Sequence, residues 1–334
     1  MNNKIIFHSK LTIGKEEIDA VKKILQSDQL SQGKYVIEFE KIIKDYHHRK
    51  YAIAVNSGTS ALYLSLLALN TESEVIIPSF TCEFVLRAVL MANLKPKIVD
   101  TFKDIKKAVT KTTKCIILPY NITNQFYDLE EIFNLKVPII EDCAVAIGSK
   151  YAGKPLGSFG DISVFSFYAT KMITSCGEGG MVLTDNKKIY NKIRETREYN
   201  FKMTDVQAAM GIVQFRKLDQ FIRKRECIAE KYDELLDNNL WIKGTNCEYN
   251  FYRYIWLDKN ADKVRKLMRE NNIFCGKIVR RPLHRILNLS KREYPHTEFL
   301  IKHLISFPIY PSLSLKDVDY ICKSYRKYGR PNNR

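Results

Sequence analysis

Three short stretches carry residue types suited to covalent chemistry on a carbonyl compound. Lys171 follows the apolar run Ile162 to Tyr168 and precedes Gly177-Glu178-Gly179-Gly180. A lysine held in a partly dry cleft can lose its proton and form a Schiff base. Alone, Lys171 reads more readily as one solvated lysine among many. Asn56-Ser57-Gly58-Thr59-Ser60 sets a glycine turn between an apolar run and an Ala/Leu-rich one. Free N–H groups at a helix start, with the Thr59 and Ser60 hydroxyls, make an anion cradle. A plain helix N-cap fits equally well. Glu141-Asp142 closes the apolar Val137-Pro138-Ile139-Ile140. An acid there either holds a protonated ring nitrogen or caps the next turn.

The elements expected around these residues alternate in type. Strands are predicted at Tyr51–Val55, Val75–Pro78, Lys97–Asp100, Cys115–Pro119, Val137–Asp142 and Ile162–Tyr168, with helices at Thr59–Leu69 and Cys82–Asn93. Such alternation predicts an α/β layer with a mostly parallel sheet. Function in such sheets collects beyond the carboxyl ends of strands, where all three stretches fall. Thr204-Asp205-Val206-Gln207 reads as a capping box opening a helix that continues, with a break, to about Leu236. Asp237-Asn238-Asn239 marks a boundary. Beyond it come a strand (Tyr249–Leu257), a helix (Ala261–Glu270), a proline-containing connection and a last helix (Leu315–Tyr328). The expected division is a large domain over 1–237 and a small α+β domain over 238–334.

Composition narrows the classes. The chain has 334 residues, 45% hydrophobic and 27% charged, which permits a sizeable core. No leader-like stretch opens the sequence, and no apolar run approaches the ~18 residues needed to cross a bilayer. A soluble, cytoplasmic protein is expected. The eight cysteines include no C-x-x-C pair, so reduced, mostly buried thiols are expected over disulfides or zinc ligands. The scattered histidines suggest no metal. The net charge of +17 is spread along the chain without a nucleic-acid motif. It favours phosphorylated or carboxylated small molecules over nucleic acid.

In chain order, a phosphate cradle, an acid for a pyridinium and a lysine for an aldehyde are the three handles of pyridoxal phosphate (PLP). From about residue 7 to 328 the sequence resembles the DegT/DnrJ/EryC1/StrS family of sugar aminotransferases, of PLP fold type I. The motifs are Gly14-Lys15-Glu16-Glu17, Leu30-Ser31-Gln32-Gly33, Asn56 to Leu62, Pro78-Ser79-Phe80-Thr81, Lys154 to Asp161, Phe165 to Lys171, Gly177 to Met181, Asn200 to Ala209, Pro282-Leu283-His284 and Phe307 to Pro311.

The resemblance implies a large domain with a mixed, mostly parallel sheet between helices, plus a smaller α+β domain. It implies that Lys171 forms the Schiff base and that Asp142 pairs with the pyridine nitrogen. Gly58, Thr59, Ser60 and Ser166 would hold the phosphate, and Cys82 and Val145 would lie against the ring. Lys202, and more weakly Asn200, would reach the phosphate across a homodimer interface. The implied reaction is ping-pong transfer of an amino group from glutamate to a nucleotide-linked keto-sugar.

The chain departs from the family at Cys82, where an aromatic is usual, and at Val145, where Gln or His is usual. Asn124 replaces a common glycine, and Thr101–Lys114 looks trimmed. A cyclitol-type aminotransferase, a sugar dehydratase of the same fold and a PLP-binding protein without turnover are the alternatives. In the dehydratase branch the lysine is typically histidine, so Lys171 argues against it. Arg280 and Arg281 are substrate-contact candidates or simply solvated.

Overall fold

Seven strands form one sheet in the computed structural model of the chain, which describes residues 4–69, 74–121, 129–236 and 246–329. They are β1 (Tyr51–Val55), β2 (Glu74–Pro78), β3 (Lys95–Val99), β4 (Thr113–Pro119), β5 (Ile139–Asp142), β8 (Ile162–Ser166) and β9 (Gly180–Thr184). Between β5 and β8 lie the two-residue β6 (Lys150–Tyr151) and β7 (Lys154–Pro155), which join β10 (Cys247–Glu248) in a small sheet. β11 (Tyr254–Leu257) and β12 (Leu304–Phe307) pair antiparallel.

The first helices are α1 (Lys15–Leu25), α2 (Lys34–Tyr46), α3 (Gly58–Ala68), α4 (Glu83–Met91), α5 (Ile105–Ala108) and α6 (Leu129–Phe133). Then follow α7 (Lys187–Arg197), α8 (Asp205–Arg216), α9 (Leu218–Leu235) and α10 (Ala261–Glu270). The last are α11 (Leu283–Ile286), α12 (Pro295–His303) and α13 (Leu315–Tyr328).

The main sheet runs β1-β9-β8-β5-β4-β2-β3. β9 lies antiparallel between β1 and β8, and the other pairings are parallel. Six strands therefore point their carboxyl ends at one edge. Side chains alternate between two cores, as the period of two in a strand requires. Ala52 and Ala54 of β1 join Phe39, Phe165 and Phe167 on one face. Ile53 and Val55 join Leu62, Val89 and Val182 on the other. A third core gathers β11, β12, α10 and α13 around Tyr232, Tyr254, Trp256 and Phe307, and includes Ile6. Ile6 forms a bridge with Ile273, with Ile6 N donating to Asn272 O at 2.9 Å.

Several details differ from expectation. The strand predicted over 249–257 begins only at Tyr254. Phe251 takes a left-handed φ of +48°, and the Asn250 side chain accepts from Tyr252 N at 2.9 Å, so the chain turns there. β8 ends at Ser166, after which Phe167 O accepts from Ser175 N and the backbone folds into a loop. The expected break in the helical stretch after the Thr204 capping box falls at Lys217. All eight cysteines are free, but only Cys115, Cys143 and Cys322 are buried; Cys82, Cys176 and Cys227 are exposed. The boundary residues 237–239 and Asn124 lie outside the described residues.

Among the described residues, no helix is long and apolar enough to cross a membrane. Nor does any group of His, Cys, Asp and Glu there have the makings of a metal site.

Candidate active site

Lys171 sits in a loop pinned to the end of the β8–β9 pair. Phe167 N donates to Gly179 O at 2.8 Å, Ala169 N to Gly177 O at 3.0 Å, and Lys171 N to Tyr168 O at 2.9 Å. Gly177 has φ +98°, a conformation that side-chain-bearing residues rarely adopt. Tight turns therefore fix the Lys171 backbone, and its side chain is half-buried.

Asp142 ends β5 and is buried. Its Oδ1 accepts from Ala144 N at 3.1 Å, and no hydrogen bond reaches Oδ2 among the described residues. Burial raises its pKa, while the Ala144 N–H and the Lys171 charge pull the other way. The adjacent Glu141 is wholly buried and well partnered. It accepts from Tyr120 Oη (2.8 Å), Gly157 N (2.9 Å), Phe159 N (2.8 Å) and Gly160 N (2.7 Å). That network anchors the β5 end and leaves Asp142 as the acid with an open oxygen.

Cys82 is the N-cap residue of α4, after the Pro78–Thr81 stretch. The residue keeps open surface, yet crowding around its sulfur raises the thiol pKa, against the Phe84 N–H and the Lys171 charge. Asp142 adds to the rise. Cys82, Asp142 and Lys171 thus share one electrostatic neighbourhood, although they come from three strand ends. Ser79 behind Cys82 is tied to α11, with Ser79 Oγ and His284 Nδ1 2.7 Å apart. The Pro78–Thr81 and Pro282–His284 motifs therefore meet.

The Asn56–Ser60 loop packs directly on β8 and β9. A Cβ on Gly58 would lie 2.7 Å from Ser166 Cβ, so only glycine fits. Ser57 caps α3 by accepting from Ser60 N at 3.1 Å. The Gly58 and Thr59 amides have no hydrogen-bond partner among the described residues, and neither have the Thr59 and Ser166 hydroxyls. The Ser60 hydroxyl is shared with Ser57 at 2.8 Å. Asn56 Oδ1 is buried without a partner, while its Nδ2 donates to Asn200 O at 3.0 Å. This cradle of unused donors suits a phosphate, and the open, buried Asp142 carboxylate suits a cationic ring nitrogen. The residues present therefore fit PLP.

The remaining predicted residues spread around this centre. Val145, half-buried, lies in the turn after Asp142, and its carbonyl accepts from Asn250 Nδ2 at 2.8 Å. Asn200 is exposed with φ +67°. Lys202 bridges Val55 through the backbone but pairs its ammonium with Glu198 at 2.6 Å. It lines a cavity of about 360 Å³ with Ser31, Gln32, Gly33 and Arg194, and neither Lys171 nor Asp142 lines that cavity. Arg280 and Arg281 are both exposed, and Arg281 donates to Arg285 O.

Sequence reasoning missed Asn250 and Tyr252. Asn250 Nδ2 also donates to Ile147 O at 2.9 Å, clamping the turn after Asp142. Tyr252 hydrogen-bonds Thr170, next to Lys171. Burial acts to raise the Tyr252 phenol, but Arg253, Lys171, the Thr170 bond and Arg225 together hold it below its ordinary value. Nothing in the apparent strand pattern 249–257 signalled this turn.

A family model described as the DegT/DnrJ/EryC1/StrS aminotransferase family matches residues 11–326. GDP-perosamine synthase of Escherichia coli O157:H7 is 32% identical, covering 97% of this chain and 98% of that protein. An uncharacterized protein of Methanocaldococcus jannaschii is also 32% identical, over 96% of each. Helicobacter pylori PseC, an aminotransferase involved in the biosynthesis of pseudoaminic acid, superposes with a TM-score of 0.89 at 24% identity, covering 97% and 99% of the two chains.

Proposed function

Because the chain belongs to the DegT/DnrJ/EryC1/StrS aminotransferase family, we propose that it aminates a nucleotide-linked keto-sugar with glutamate as donor, in two half-reactions. It is a PLP-dependent aminotransferase. The observation that carries the sugar reading is the 32% identity to GDP-perosamine synthase over nearly the full length of both chains. A Campylobacter jejuni relative named UDP-4-amino-4,6-dideoxy-N-acetyl-beta-L-altrosamine transaminase is 33% identical over 70% of each chain.

When bound, PLP supplies an aldehyde and an electron-withdrawing ring. Lys171 would hold that aldehyde, and its amine, once freed by the donor, would serve as the general base and acid that moves the donor's Cα proton. Asp142, with its Oδ2 open, would pair with the ring nitrogen and keep it protonated. The Gly58 and Thr59 amides, with the Thr59, Ser60 and Ser166 hydroxyls, hold the phosphate. Cys82 and Val145 flank the ring, and Val145 gives it packing without a hydrogen bond. Lys202, which lines a different cavity in its own subunit, and more weakly Asn200 would serve the partner's site in a homodimer. Residues 1–237 carry the cofactor, and 238–334 form the smaller domain. Eight free thiols suit the reducing cytoplasm.

The test is an absorbance spectrum before and after L-glutamate, followed by nucleotide-linked keto-sugars offered to the amino form. Glutamate-dependent loss of the near-visible band, restored by a keto-sugar, is expected. A band indifferent to glutamate would remove it as the donor. No band after adding PLP would remove the whole scheme.

A further inference from the structure

Four side chains form a continuous hydrogen-bonded path from α11 and α12 to Ser79, the residue after β2. Arg285 Nε donates to Glu298 Oε1 at 2.6 Å, and its Nη2 bonds Oε2. Glu298 Oε1 lies 2.8 Å from His284 Nε2, and His284 Nδ1 lies 2.7 Å from Ser79 Oγ. Ser79 and His284 are wholly buried, so this Ser-His-Glu order presents no nucleophile to a substrate. The Tyr294 ring stacks on the imidazole, with centroids 4.4 Å apart and planes 5° from parallel.

The proton positions follow from what each atom can do. Arg285 holds the Glu298 carboxyl below its usual range against burial, and His284 adds to the effect. A carboxylate only accepts, so Nε2 donates to it. Ser79 Oγ already accepts from His284 N at 3.2 Å. Its own proton is therefore available to Nδ1, which the Nε2–H tautomer leaves as an acceptor. Both ring nitrogens are thus used, and the imidazole cannot turn without breaking both bonds.

Ser79 fixes more than itself. Its carbonyl accepts from Leu283 N at 3.0 Å and from Thr81 N at 2.9 Å, and its amide donates to Val99 O at 2.7 Å. Asn121 Nδ2 holds the next two residues, at 3.2 Å from Phe80 O and 2.9 Å from Thr81 Oγ1. Cys82 follows, exposed, as the N-cap residue of α4. Its place is inherited from the residues just before it. A fully satisfied buried polar network stiffens the backbone it holds. We propose that His284 is a positioning residue for the cofactor site, setting through Ser79 where Cys82 stands. This rests on the reading that Cys82 flanks the PLP ring.

The experiment is alkylation of Cys82 by iodoacetamide, read by mass spectrometry of its peptide with and without PLP, beside a PLP titration. Asparagine places its amide where Nδ1 stands, and glutamine places its amide where Nε2 stands. His284→Asn therefore keeps the bond to Ser79, and His284→Gln keeps the bond to Glu298. PLP is expected to protect Cys82 in the wild type. Ser79→Ala and His284→Gln should each speed alkylation and weaken PLP binding about fivefold, the loss of one hydrogen bond. His284→Asn should stay within about twofold of the wild type in both. All three variants should melt lower, so the Cys82 rate is what tells positioning from stability. Unchanged alkylation in Ser79→Ala, or equal rates in His284→Asn and His284→Gln, overturns the positioning role. Should His284→Gln not fold, Ser79→Ala decides alone. The ring reading fails separately. Faster alkylation in Ser79→Ala, with no protection of the wild type by PLP, keeps the positioning role and removes Cys82 from the ring.

Discussion

Asp142 and Lys171, at the ends of β5 and of the loop after β8, act on one another electrostatically: the lysine charge opposes the burial that lifts the carboxyl. A group whose folded pKa is raised adds stability below its unfolded pKa, near 3.8, and that stability is lost as pH rises through the folded value. At neutral pH the ionised Asp142 therefore costs the apoprotein stability. Asp142→Asn is expected to raise the apo melting temperature by about 2 °C. The same change removes a charge-assisted bond worth about 1.5–3 kcal/mol, so PLP should bind about 10–100-fold more weakly. Melting curves with and without PLP check both signs. A lower apo melting temperature would refute the electrostatic account.

Lys171→Ala is expected to abolish the near-visible absorbance of the lysine-linked cofactor. Turnover should fall by about 10³-fold or more, with the far-ultraviolet circular dichroism unchanged. An unaltered visible spectrum would move the covalent role to another lysine.

Asn250→Ala removes the clamp on the Val145 and Ile147 carbonyls and the support of Tyr252 N. Asn250 is buried, so its partners are left without water. A loss of about 2–4 kcal/mol is expected in urea unfolding. PLP affinity should drop with it if Val145 flanks the ring as proposed. A loss under about 0.5 kcal/mol would show that the turn holds itself.

His8 gives a pH signature. Its folded pKa of about 3 lies below its ordinary value of 6.5, because of burial and then of Arg253 and Arg225. Between these values the unfolded chain binds a proton that the folded chain refuses. Stability therefore falls as pH drops below 6.5, by up to about 1.4 kcal/mol per pH unit from this residue. His8→Gln should flatten the difference curve between pH 6 and 4. Parallel curves for the two proteins would mean that His8 is protonated in the fold.

Much of this was legible because the signals are local. An apolar run, an Asn-Ser-Gly-Thr-Ser turn and an Ala/Leu-rich run suffice to place β1, the cradle and α3 within a residue or two. Thr204 and Gln207 announce α8 through reciprocal hydrogen bonds three residues apart. Asp142 stands out as the last residue of a strand and Lys171 by following one. Hidden features depend on partners distant in sequence. The antiparallel insertion of β9 between β1 and β8 is invisible in the composition of β9. The turn at Phe251 is held by side chains on Asn250 and by carbonyls about a hundred residues earlier, so an apolar, aromatic segment mimics a strand. His8 is a lone histidine in a polar opening stretch, and its burial comes from Arg253, Ser306 and Gly276.

The bridge between Ile6 and Ile273 has a consequence for biosynthesis. Residues near the amino terminus leave the ribosome first, yet the backbone they pair with is made only after four-fifths of the chain. Until then Ile6 lacks its bridge partner, and the β11–β12 pair of the same core is complete only at Phe307. The seven-stranded sheet, complete by Thr184, can form earlier. The third core is therefore expected to consolidate after the sheet, and until it does its apolar surface is open to chaperones.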